Sequence, residues 1–314
     1  MPAAVVTLAV PCRTDEPGLG HALARALESW QAAPQSSAQL EVLVCLNGPP
    51  RPAPVETLRA AAAAAHAPFA MVDLDAAARP HALPDAPLSV TALALRRAGK
   101  PIAWNALRQH ARGEEAVFMD ADVSFAPDAL GLLLGALAAH PTAALASGKT
   151  TCAPRPGLFE RVMATPYGVD FPNLSPQLYA ARLAALPATM PEDLIEPERW
   201  LELVVGRERI VRVPAARVAV RLPGSLADFF RQRIRIEMGK LQMAREYPSL
   251  ETRGAPQPRA RAALASLGPP ALVRLAAYLA LRSAAHAVAW WRYRRGDTSA
   301  IWRQAASTKR WDAA

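Results

Sequence analysis

Apolar and polar positions follow a repeating grammar through the first part of the chain. Residues 5–10 form a short, β-branched apolar run cut by Pro11, and residues 19–30 then take up a helical period, with Leu23 and Leu27 four apart. The unit recurs: a strand over 40–46 closed by Asn47-Gly48-Pro49, a helix over 55–66, and a strand over 69–74. Alternation of this kind predicts a doubly wound, mostly parallel sheet flanked by helices. Residues 76–91 are rich in Pro and Ala and read as a loop. A helix over 100–111 and an apolar strand over 116–119 follow, and the strand runs directly into Asp120-Ala121-Asp122. Ligands of such sheets gather just beyond the carboxyl ends of the strands.

The second half is less regular. The pattern predicts a helix over 127–140, a strand over 143–147, an irregular Pro-rich loop over 154–176, and helices over 177–186 and 197–205. An edge strand over 210–214 precedes a long basic amphipathic helix over 226–247. Residues 254–258 read as a linker, and 269–291 as an apolar helix that runs into Arg292, Arg294 and Arg295. This divides the chain into an α/β domain over 1–250, the expected seat of any chemistry, and a helical C-terminal extension over 251–314. No internal repeat is present.

Composition narrows the class. Of 314 residues 52% are hydrophobic and 20% charged, which excludes a disordered chain and a polytopic membrane protein. The net charge of +9 fits an anionic membrane surface, a phosphorylated substrate or a nucleic acid. No RNP, zinc-finger or helix-turn-helix signature supports the last, so nucleic acid is not an expected partner. Cys12, Cys45 and Cys152 are odd in number and far apart, which fits a reducing compartment better than a disulfide framework. The first ten residues lack a basic n-region and a long apolar core, so they read as a strand and not a signal peptide, and the cytoplasm is the expected location. The six histidines show no metal-ligand spacing.

The carboxylates carry the chemistry. Asp120 and Asp122 stand at the end of an apolar strand without His or Cys beside them, a donor set that suits Mg²⁺ or Mn²⁺ completed by water and a substrate diphosphate. The alternative is a helix cap. Glu192-Asp193 could serve a reaction or only the charge at the start of the next helix. Gln232 and Arg235 are three apart and share a helix face, where they could meet a phosphate or simply solvent.

In order along the chain, these elements resemble the family 2 glycosyltransferases of GT-A fold. Val10-Pro11-Cys12-Arg13-Thr14-Asp15-Glu16 is similar to the family's first-strand nucleotide loop, and Leu46-Asn47-Gly48 to its second-strand turn. Gly99-Lys100, Asn105 and Asp120-Ala121-Asp122 resemble the segment leading to the metal site. Glu192-Asp193 resembles the ED motif, and Gln232-Arg233-Ile234-Arg235-Ile236 stands where QxxRW is expected. The resemblance implies a Rossmann-like sheet, a nucleotide-sugar donor held by Pro11, Arg13, Glu16, Asn47, Lys100, Asn105, Asp120, Gln232 and Arg235, and Mn²⁺ or Mg²⁺ on Asp122 and Asp120. It implies that Asp193, with Glu192 beside it, is the base for an inverting transfer. Ile236 in place of the Trp points to transfer of one sugar and away from polymer synthesis. A sugar-phosphate nucleotidyltransferase is the competing enzyme class, although the first strand lacks that class's Gly-rich, Lys-containing loop. A membrane-associated binding protein without catalysis is the other alternative.

In the last helix Arg274, Tyr278, Arg282 and His286 recur every four residues and make one polar stripe on an otherwise apolar surface. Such a helix suits the membrane interface or a protein face better than a clean span. Trp290 and Trp291 beside Arg292, Arg294 and Arg295 resemble an aromatic and basic membrane anchor. Residues 301–302 and 308–311 resemble endings of membrane-associated members of the family. A lipid or lipid-linked acceptor at the inner face of the cell membrane is therefore the expected partner.

Overall fold

A computed structural model describes residues 4–33, 38–76, 86–152, 157–168, 174–253, 268–297 and 308. The apolar runs of the first half become β1 (Val5–Arg13), β2 (Gln39–Asn47), β3 (Phe69–Asp73), β4 (Leu88–Leu95) and β5 (Glu115–Met119), all mutually parallel in the order β3-β4-β2-β1-β5. Helices α1 (Leu19–Ala32), α2 (Pro52–Ala64) and α3 (Lys100–His110) make the crossovers. β1 and β2 are buried nearly throughout, as parallel strands covered on both faces must be. The chain leaves β1 toward β2 and β4, then returns through α3 to β5 on β1's other side. This reversal opens a crevice at the carboxyl ends of β1 and β5.

Beyond β5 the sheet continues as β8-β7-β9-β6. Here β6 is Ser124–Phe125, β7 is Leu145–Cys152, β8 is Leu178–Arg182 and β9 is Ile210–Val220, and α4 (Ala129–Ala139) lies between β6 and β7. Three expectations are corrected. The loop expected over 76–91 contains the start of β4, whose Ser89 and Thr91 are buried between β2 and β3; residues 77–85 lie outside the described residues. The helix expected over 177–186 is instead β8, antiparallel to both β5 and β7. Its Leu-Tyr-Ala-Ala run is buried on both faces, so no period distinguished it from a buried helix. Tyr179 stacks on Phe118, which stacks on Trp104, with ring centroids 5.2 and 5.6 Å apart, and Trp104 Nε1 donates to the Tyr179 hydroxyl at 3.1 Å. The third correction is the 154–176 segment, which holds a helix, α5 (Leu158–Ala164), and a 3-10 turn over Thr165–Gly168.

β9 also outruns its expected end at Pro214. The register with β7 slips between Ser147–Arg212 and Lys149–Arg217, so Pro214 falls in a bulge where no ladder donor is needed. After α6 (Pro197–Val205) and β9 come α7 (Leu226–Glu246), α8 (Pro248–Arg253) and α9 (Pro269–Arg294). Ser225 caps α7 by accepting from the Asp228 N–H at 3.2 Å. α9 is long and apolar enough to cross a bilayer by length and composition. It nevertheless lies against the sheet-bearing body: Ala285 and Ala289 are fully buried on Ile234 and Met238 of α7, and Tyr278 and Leu281 meet the cluster of Met163, Leu222 and Phe229. The linker expected over 254–258 lies outside the described residues.

Candidate active site

The crevice between β1 and β5 is a cleft of about 290 Å³. Its floor is set by Asn47, the last residue of β2, whose buried amide Nδ2 donates to the Cys12 carbonyl at 2.8 Å while its Oδ1 accepts from the Gly99 N–H at 3.1 Å. One side chain thus ties the ends of β1 and β2 to the start of α3. Gly48 next to it has φ +119°, a left-handed conformation that suits glycine, and its N–H reaches the Leu95 carbonyl at 2.9 Å.

The loop after β1 forms the second wall. Arg13 grips Asp15 through two hydrogen bonds of 2.9 Å, which holds the Asp15 carboxyl below its ordinary range. Glu16 turns back and accepts from the Gly18 N–H at 3.1 Å. Gly18 packs closely on the turn that carries Asp122: a Cβ there would stand 3.0 Å from Asp122 Cα and 3.1 Å from the Ala121 carbonyl oxygen, so a larger residue would push on that turn.

Asp120 and Asp122 both line the cleft. Lys100, at the start of α3, places Nζ 2.6 Å from Asp120 Oδ1 and 2.6 Å from Glu198 Oε1. Burial lowers the ammonium's pKa, but the two carboxylates outweigh it and the net shift is upward. Burial pushes Asp120 up, against the pull of Lys100. The Asp120 N–H donates to the Gln177 carbonyl at 3.0 Å, joining the strand end to the loop before β8.

Pro11, Arg13, Glu16, Asn47, Lys100, Asp120, Asp122, Gln232 and Arg235 are brought together around this one cleft, from five separate stretches of sequence. The remaining candidates are placed elsewhere. Asn105 pairs its amide with Met190, donating to its carbonyl at 2.9 Å and accepting from its N–H at 2.8 Å, so it anchors the segment before Glu192. Glu192 is exposed and ion-paired with Arg97. Asp193 is exposed and is not among the lining residues, although Leu194 and Ile195 after it are. Its carbonyl accepts from Gln242 Nε2 at 3.1 Å, which fixes the segment on α7.

Sequence reasoning missed Tyr167, Gln177, Arg221, Thr308 and the second-tier carboxylate Glu198. Burial raises the Tyr167 hydroxyl to about 12, and Gln177 Oε1 accepts from Thr150 at 2.8 Å. None of these carries a motif; the only signal available was the cluster Glu192, Asp193, Glu196 and Glu198 around Pro197. Of the tail segments, only Thr308 is described, and it is buried at the cleft.

The donor set at Asp120 and Asp122 fits a hard divalent cation in a restricted way. No group of three or more His, Cys, Asp or Glu side chains converges among the described residues, so an ion held here would complete its shell from a diphosphate and water.

Comparisons place this arrangement. The chain is similar in structure to the mannosyltransferase PcManGT from Pyrobaculum calidifontis, solved in complex with GDP-Man and Mn²⁺, with a TM-score of 0.57, 22% identity, and coverage of 99% of this chain and 88% of that one. A looser likeness, TM-score 0.47 at 17% identity, is to glucosyl-3-phosphoglycerate synthase from Mycobacterium tuberculosis, covering 81% of each chain. TarS of S. aureus matches at TM-score 0.46 and 14% identity, over 94% of this chain and 88% of the other. No curated protein matches the sequence. The fold is that of the GT-A glycosyltransferases. The family model described as Glycosyl transferase family 2 matches residues 7–165, from β1 through both cleft aspartates and into the turn after α5, and the chain belongs to that family.

Proposed function

We propose that this glycosyltransferase moves a single sugar from a nucleoside-diphosphate sugar to a lipid or lipid-linked acceptor at a membrane surface, with inversion and with the help of a divalent cation. The observation that carries the reading is the single cleft in which Asp120, Asp122, Lys100, Gln232 and Arg235 meet the loop after β1. Two carboxylates next to three cationic or amide groups suit a diphosphate that arrives with a metal ion. The mannosyltransferase of similar fold was solved with GDP-Man and Mn²⁺, which supports the same chemistry here.

Asp122 and Asp120 would hold the cation, which when bound neutralises charge on the departing diphosphate. Arg235 and Gln232, on the same face of α7, would orient that diphosphate from the opposite wall. Lys100 keeps Asp120 and Glu198 in place from beneath. Asp193, with Glu192 beside it, is proposed as the base that takes the acceptor's hydroxyl proton; its segment is pinned between α3 through Met190 and α7 through Gln242. The exposed apolar side chains of α9, Leu272, Val273, Val288, Trp290 and Trp291, support a membrane surface as the place of reaction, at the cytoplasmic face.

The test is release of nucleoside diphosphate from a panel of nucleotide-sugars, with a membrane lipid extract and with or without Mn²⁺, on wild type and Asp122→Asn. Release that needs lipid, cation and Asp122 supports the reading. Absence of turnover together with absence of cation-dependent nucleotide binding would favour a binding protein.

A further inference from the structure

A second depression, a groove of about 550 Å³, lies between α7 and α9, away from the cleft. It is lined by Glu237, Lys240, Leu241 and Ala244 of α7 and by Leu279, Arg282, Ser283 and His286 of α9. Glu237, with only 3% of its side chain exposed, is the hub: its Oε1 accepts from Arg233 at 2.6 Å, Lys240 at 3.0 Å and Arg282 at 3.2 Å, and His286 Nδ1 stands 3.2 Å from Oε2. Three permanent cations and a histidine therefore surround one carboxylate. The other acid near Lys240 is Glu196, which burial pushes up to about 7, so it offsets only part of the surplus. Burial first, and then the Arg233 charge, depress the Lys240 ammonium against the opposing pull of Glu237.

The apolar part of the groove is as informative. Leu279, Ser283, His286 and Trp290 follow at spacings of four, three and four, and Leu272 is seven before Leu279, so all five share one face of α9. Leu272, Leu279 and Trp290 are exposed on that face, and the Arg294 guanidinium lies 4.1 Å from the Trp290 ring centroid. The groove's basic end therefore opens onto an exposed apolar and aromatic ridge. That combination fits an amphiphile that places an anionic head among Lys240, Arg282 and His286 and apolar chains along α9.

We propose that the α7–α9 groove binds the phosphate headgroup of a membrane phospholipid and so seats the enzyme on the bilayer. The inference rests on the reading of α9 as a membrane-surface helix and deepens it by assigning the contact to a specific headgroup. Lys240 of α7 and Arg282 of α9 converge on Glu237 Oε1 at 3.0 and 3.2 Å, so one carboxylate gathers cations from both walls where the phosphate would sit. Net charge alone would favour any anionic surface equally; a built groove distinguishes phosphate from carboxylate.

The experiment is flotation of the full chain with phosphatidylcholine vesicles that carry either phosphatidic acid or oleate, matched in surface potential. The wild type should bind the phosphatidic acid vesicles at least about tenfold more tightly. Ser283→Glu, an exposed change that puts a like charge in the headgroup's place, and the double variant Lys240→Gln/Arg282→Gln should each abolish that preference. Ser283→Glu should keep the wild-type melting profile, the double variant should melt lower because Glu237 loses two of its partners, and both should stay folded and keep nucleoside diphosphate release. Equal binding to both vesicle types, or a preference that survives Ser283→Glu, would overturn the proposal. Displacement from phosphatidic acid vesicles by micromolar glycerol 3-phosphate would overturn it too, since the groove would then be a site for a free phosphate. Lipid preference without any sugar transfer would leave the groove standing and remove the proposed reaction; transfer without the preference would do the reverse.

Discussion

Lys100 Nζ stands 2.6 Å from Asp120 Oδ1, and the same ammonium is the counterion of Glu198 on the far side. One cation thus sets the charge balance of the cleft floor. Replacing it with Met keeps the shape but leaves two poorly exposed carboxylates facing each other. Lys100→Met should destabilise the protein by about 1–3 kcal/mol near pH 7.5. The Asp120 carboxyl, already raised by burial, would lose the pull of Lys100 and rise further above its unfolded value, so the native state binds more protons and stability increases as pH falls. The deficit in melting temperature should therefore be smaller at pH 5 than at pH 7.5. A deficit that does not change with pH would show that the ammonium does not hold Asp120 ionised.

Asn47 makes a prediction of the opposite kind, in which the isostere is the worse substitution. Its Nδ2 donates to the Cys12 carbonyl and its Oδ1 accepts from Gly99. Asn47→Asp keeps the second bond but sets a carboxylate against a carbonyl oxygen in a buried place. Asn47→Ala leaves two groups unpaired, at about 1–3 kcal/mol. Urea titration should rank the aspartate variant below the alanine one at pH 7, and nucleotide affinity should fall in both.

Glu237 predicts an acid-sensitive attachment of α9. Burial acts to raise its pKa, but Lys240 and Arg233 outweigh it and bring it to about 2, below the ordinary 4.5. A carboxyl depressed on folding contributes stability above the unfolded pKa and loses it as pH drops from about 4.5 toward 2. Its cationic partners are partly exposed, so solvent screening reduces the contribution at pH 7 to about 1–2 kcal/mol. Glu237→Gln should be less stable than wild type by that amount at pH 7 and by only about a quarter of it near pH 2.5. Chemical denaturation at the two pH values measures the difference.

The proposed base is separable from its neighbour. Asp193→Asn should lower kcat by about 100-fold or more with donor KM within about threefold, because a positioned base contributes at that scale in the transition state alone. Glu198→Gln should instead raise donor KM, since Glu198 acts through Lys100 on Asp120. The reverse pattern would move the base to Glu198.

The sequence made the parallel half of the sheet and its ligand end legible because strand, turn and helix signals there are short-range. Asn47 stands in a turn-forming pair, and Asp120 and Asp122 end an apolar strand. Residues delivered by long crossings were not legible: Glu198 reaches Asp120 only through Lys100, nearly a hundred residues away in sequence. The resemblance implies that Asn105 contacts the donor, yet its spacing is equally that of a helix residue reaching a neighbouring loop, and in the structure its amide pairs with Met190. β8 was unreadable for a different reason. A five-residue strand buried on both faces has no alternation, and its antiparallel direction depends on partners on either side.

β8 has a bearing on how the protein can be divided. The family match ends at residue 165, but the edge of β5 is covered by residues 178–182, and β7 is held by β8 and β9. A fragment cut at the end of the match would present the β5 backbone as an open template for pairing with other chains. Such a fragment should self-associate on expression, and the smallest piece able to remain monomeric must run at least to Val220, the end of β9.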